Sequence, residues 1–76
     1  MRQAENILGA LGGDANIVDL EACITRLRVE VEDPELVDEA ALKAAGAFGV
    51  VKQRDAVQVV VGPEADTIAA DIEDLR

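Results

Sequence analysis

The chain has 76 residues, one domain at most and near the low end of what folds alone. Half of the residues are apolar and the mean hydropathy is +0.14, which indicates a packed core rather than disorder. Seven basic residues against sixteen acidic ones give a formal net charge of −9, and Phe48 is the only aromatic. The chain therefore lacks both the positive surface and the stacking platforms of a nucleic-acid binder.

The absences narrow the chemistry further. Without His, Ser, Tyr or Trp there are no Ser–His or Cys–His pairs, no imidazole acid–base groups and no His-ligated metal. One cysteine forms no intrachain disulfide and no CxxC metal site, which suits a reducing compartment. No apolar run reaches spanning length and no signal peptide opens the chain. Cys23, Thr25, Thr67 and the carboxylates remain as nucleophiles.

In chain order, Ala4, Ile7, Leu8 and Leu11 recur at helical spacing, and Gly12-Gly13 ends that helix. Ile17-Val18-Asp19-Leu20 reads as a short strand, with Cys23 in the turn beyond it. Over residues 24–32, Thr25, Leu27, Val29 and Val31 alternate with Arg26, Arg28, Glu30 and Glu32, a strand with one apolar and one charged face. Asp33-Pro34 breaks it. A short helix capped by Asp38 runs through Leu42 to Ala45 and stops at Gly46. Phe48 to Lys52 and Ala56 to Val61 form a hairpin turning at 53–55. Gly62-Pro63 opens a last helix, with Ala65, Ile68, Ala69, Ile72 and Leu75 on one stripe. The expectation is an α+β fold of order αββαββα: a four-stranded, mainly antiparallel sheet with three helices on one face, the other face meeting solvent.

The residues with chemical potential cluster around the cysteine. Arg26 and Arg28 share a strand face, about 7 Å apart by the strand rise. Two of the five arginines thus lie within five residues of the only cysteine. A guanidinium pair favours the thiolate and offers planar forks of donors to phosphate oxygens, and the turn amides could add a small anion nest. The same residues admit a plainer reading: a buried small hydrophobe beside solvated arginines paired with Glu30 and Glu32. Asp19 and Glu21 would oppose ionisation of the thiol. The CX5R loop of cysteine phosphatases is absent, because Val29 stands six residues after Cys23. The glycines fit no phosphate-loop pattern, and the carboxylates show no calcium-loop or other metal spacing.

The string Leu20-Glu21-Ala22-Cys23-Ile24-Thr25-Arg26-Leu27-Arg28-Val29 resembles the phosphocysteine site of the enzyme IIB domain of the bacterial sugar phosphotransferase system, in its glucose and N-acetylglucosamine family. The likeness spans nearly the whole chain. It takes in the Leu-Gly-Gly helix end, the Asn-Ile before the site, Val37-Asp38 with Leu42 and Gly46, Gly49-Val50-Val51, Val57-Gln58 and Gly62. Glu21 stands where many relatives carry aspartate, and the charge is kept.

The resemblance implies that residues 1–76 are one phosphocarrier domain without cofactor or metal. Cys23 would take a phosphoryl group from a phosphohistidine of enzyme IIA and pass it to a sugar held by the membrane component, enzyme IIC. Such a protein is a protein-phosphohistidine–sugar phosphotransferase component. Arg26 and Arg28 would neutralise the phosphoryl oxygens and Thr25 would shape the loop. Ala22 and Ile24 would form the apolar part of the partner contact. The implied setting is cytoplasmic, at the inner face of the membrane through enzyme IIC, as a monomer in isolation, and Met1 directly before the first helix favours a separate polypeptide. The competing expectation is a non-catalytic αβ regulatory or assembly module whose cysteine is a buried structural residue. Thiol redox sensing is weaker still, since no second cysteine could resolve an oxidised one.

Overall fold

Glycine and aspartate punctuate the chain where helices must start and stop. The structure, a computed structural model, describes residues 2–76. Helix α1 covers Arg2–Ala10 and closes as Gly13 N–H donates to Leu8 O at 2.9 Å, with Gly12 and Gly13 both at positive φ. Strands β1 (Ile17–Cys23) and β2 (Arg26–Val31) form a hairpin. A 3-10 turn at Pro34–Leu36 precedes α2 (Glu39–Ala44), where the Asp38 carboxylate caps by accepting from Ala41 N–H at 3.0 Å. Strands β3 (Gly49–Gln53) and β4 (Ala56–Val60) make a second hairpin, and α3 (Ala65–Leu75) follows.

The expected order αββαββα is therefore present. The sheet order is β1-β2-β4-β3, with every neighbouring pair antiparallel. Leu27, Val29 and Val31 of β2 and Val57 and Val59 of β4 are buried with Ile7, Leu11, Leu42, Ile68 and Ile72 of the helical layer. Full burial of each Leu, Ile or Val side chain contributes about 1.5–3 kcal/mol, and this alternation holds β2 in register.

Several boundaries differ from the sequence expectation, each for a local reason. Strand β1 is longer than Ile17–Leu20 and takes in Glu21, Ala22 and Cys23, because pairing with β2 recruits residues of modest strand propensity. Cys23 is thus the last strand residue rather than a turn residue, and the turn is Ile24-Thr25 alone. Strand β2 begins at Arg26, so Thr25 lies in that turn, half-buried. The second turn narrows to Arg54-Asp55, with Gln53 paired to Ala56. Phe48 precedes β3 and is 79% exposed, and the last helix begins at Ala65, after a turn through Pro63 and Glu64.

One irregularity decides which way the cysteine faces. Ile17 pairs with Val31, but Asp19 pairs with Glu30, so Val18 is an extra residue, a β-bulge. In an unbroken strand, residues 17, 19, 21 and 23 would all share the buried face of Ile17. The bulge reverses that parity. Leu20 and Ala22 then pack against the core, while Asp19, Glu21 and Cys23 are exposed on the open face.

Candidate functional site

The open face of the sheet reads as rows of cross-strand neighbours. Cys23 stands opposite Arg26, Arg26 opposite Val60, and Val60 opposite Gly49. The next row is Glu21, Arg28, Gln58 and Val51, and the third is Asp19, Glu30, Ala56 and Gln53. Directly opposed residues have Cα atoms only about 4.5–5.5 Å apart. Cys23, Arg26 and Arg28 therefore lie within side-chain reach of one another at one end of the face.

Cys23 is a free, exposed thiol, which overturns the expectation of a buried structural cysteine. Arg26 donates from Nη1 to Gln58 Oε1 at 2.9 Å. Arg28 forms no hydrogen bond or ion pair among the described residues, so Glu30 and Glu32 do not occupy it. Both guanidinium groups keep donors for a bound anion.

The turn beside Cys23 is held from behind. Thr25 O accepts from Val61 N–H and Gly62 N–H, both at 3.0 Å, which pins the hairpin tip to the start of the β4–α3 connection. Ile24 sits at φ 46, a left-handed conformation unusual for a β-branched side chain, and is 83% exposed. The Ile24 and Thr25 amides meet no acceptor among the described residues. Gly62, at φ 92, is buried under the ring of Phe48: a Cβ there would lie 3.2 Å from Phe48 Cε2. The positive φ is what calls for glycine here, and a Cβ would in addition push the exposed Phe48 ring aside by a few tenths of an ångström.

The six residues singled out from sequence divide accordingly. Cys23, Thr25, Arg26 and Arg28 come together at the tip. Ile24 projects from it. Ala22 turns to the helix side, half-buried against the core, which leaves Ile24 as the exposed apolar residue of that pair. Gln58 and Phe48 join the neighbourhood without having been assigned a part. The signal for Gln58 was its place as the one polar residue within Ala56–Val61, whose alternation puts it opposite Val57 and Val59. A hollow of about 180 Å³ lies farther along the face, lined by Asp19, Glu21, Arg28, Glu30 and Asp55 among others. Its carboxylates repel an anion and Cys23 does not line it. No group of three metal-ligating side chains occurs among the described residues, and no helix there is long and apolar enough to cross a membrane.

Residues 5–38 match the family model for the phosphotransferase system, EIIB. The chain is 64% identical over 73 residues to the N-acetylglucosamine-specific EIIB component of Streptomyces coelicolor, covering 96% of this chain and 95% of that one. It is 50% identical over 74 residues to the glucose-specific EIICBA component of Streptococcus pneumoniae and 51% over 67 residues to that of Staphylococcus saprophyticus. The match covers 96% and 88% of this chain respectively, and only 10% of each of those longer proteins. A crystal structure of one domain of the phosphotransferase system IIabc component from Clostridium difficile superposes with a TM-score of 0.84 at 25% identity, covering 97% of this chain and 79% of that one. With matching sequence over nearly its whole length and the same fold, the chain belongs to the EIIB family of the sugar phosphotransferase system.

Proposed function

We propose that residues 1–76 act as one phosphocarrier domain in which Cys23 accepts a phosphoryl group from enzyme IIA and delivers it to a sugar held by enzyme IIC. The observation that carries the reading is the exposed sulfur at the end of β1, directly across from Arg26 and on the same face as Arg28, which has no partner among the described residues. The thiolate attacks phosphorus, the S–P bond forms, and the N–P bond of the donor phosphohistidine breaks with its electron pair returning to the imidazole. In the second step the sugar hydroxyl attacks phosphorus, the O–P bond forms, and the sulfur leaves as thiolate. The hydroxyl proton goes to a base on the sugar-binding partner.

Phosphoryl transfer spreads charge over three peripheral oxygens, so positioning and cationic donors supply the catalysis. Arg26 and Arg28 offer planar forks to those oxygens, and the free amides at Ile24 and Thr25 extend the same donor set. Exposed Ile24 beside the sulfur would contact the donor protein. The EIIC and EIIA portions of the longer relatives support both partnerships, and the names of the relatives favour N-acetylglucosamine or glucose as the sugar. Association with the membrane then runs through enzyme IIC.

The test is intact-mass analysis after incubation with phosphorylated enzyme IIA. Wild type should gain one phosphoryl mass, located on Cys23 by peptide mapping, and Cys23→Ser should gain none. An undiminished gain in Cys23→Ser would end the proposal. Addition of membranes carrying enzyme IIC and N-acetylglucosamine or glucose should then discharge the phosphoryl group onto the preferred sugar.

A further inference from the structure

Resting on that reading, we infer that Gln58 is a positioning residue for phosphoryl transfer, acting through Arg26. Gln58 Oε1 accepts from Arg26 Nη1 at 2.9 Å, and no other described residue bonds the Arg26 side chain. The bond crosses diagonally between rows, since Arg26 stands opposite Val60 while Gln58 stands opposite Arg28. Left to itself, a long arginine on an open sheet face samples many rotamers, and fixing it costs side-chain entropy at each transfer. Gln58 is half-buried on β4, between Val57 and Val59, both fully buried. Its backbone is anchored in the sheet between two buried neighbours, so its side-chain amide is presented from a set place on the open face.

The contact engages only Nη1. The remaining Arg26 donors, at Nε and Nη2, stay available for a bidentate grip on a phosphoryl group at the neighbouring sulfur. A carboxylate at position 58 would hold the guanidinium too, but would set a negative charge against the incoming anion. A neutral amide avoids that repulsion. The side chain of Gln58 thus orients one arginine while adding no charge to the row that also holds Arg28.

The test is a double-mutant cycle on single-turnover transfer from phosphorylated enzyme IIA to Cys23, with wild type, Gln58→Leu, Arg26→Ala and the double variant. Gln58→Leu should slow transfer by about tenfold in the wild-type background, and by less than about twofold once Arg26 is removed, as coupled neighbours behave. Equal slowing in both backgrounds, or slowing below about twofold in wild type, overturns the inference. The melting curve of each variant separates a positioning effect from lost folding, and Gln58→Thr, which suits a strand but cannot span to Arg26, serves as the second variant. If wild type itself takes no phosphoryl group, the carrier reading fails, and the inference with it. If wild type is charged normally and the cycle shows no coupling, only the role of Gln58 fails.

Discussion

Replacing Asn16 with alanine should remove a large share of the stability of this protein without touching its site. Asn16 is 3% exposed and is the buried polar side chain of the core among the described residues. Its Nδ2 donates to Leu11 O at 2.7 Å and to Asp33 O at 3.1 Å, and its Oδ1 accepts from Asp33 N–H at 2.8 Å. One side chain thereby ties the end of α1, the start of β1 and the loop after β2. Truncation deletes all three bonds, of which the one to Leu11 O is buried and the two to Asp33 are part-buried. At roughly 1 kcal/mol net per bond, the loss is about 3 kcal/mol. That is a large fraction of the roughly 5–15 kcal/mol available to a domain. For a chain of this length it corresponds to a fall in Tm of about 15 °C. Thermal and urea unfolding followed by far-ultraviolet circular dichroism would read it directly. Cys23 lies at the far end of β1, so transfer to it measured well below the transition should be unchanged. A Tm within about 3 °C of wild type would refute the hydrogen-bond accounting.

Other expectations follow from the site and its support. Arg26→Lys and Arg28→Lys should each slow single-turnover phosphorylation of Cys23 on the order of tenfold or more, because charge is kept while the planar fork is lost; normal rates in both would make these arginines mere surface. Gly62→Ala should lower stability by about 1–2 kcal/mol in urea titrations, since alanine is strained at φ 92; an unchanged midpoint would contradict that strain. Ile24→Asn should raise stability by about 0.5–1 kcal/mol, asparagine being better suited to the left-handed turn position, and a loss of stability would show that Ile24 packs in a way its exposure does not reveal.

The alternation from Arg26 to Val31 was legible in the sequence because side chains on a strand change face at every residue, whatever lies beyond them. The helix end at Gly12-Gly13 and the cap at Asp38 were legible for a similar reason: both depend on local backbone needs. The string around Cys23 carries the family likeness in its linear order, because its residue types and spacing are themselves the chemistry. The orientation of the sulfur was not available in the same way. It hangs on the bulge at Val18, which reverses the parity of β1 and exists only because β1 is laid against β2 in one register. The pinning of Thr25 O by Val61 and Gly62, and the meeting of Arg26 with Gln58, likewise join residues more than thirty positions apart. Linear order sets which way a side chain can point along its own strand. Which neighbours it meets across the sheet is settled by strand order and register, and those follow from burying the apolar faces of all seven elements together.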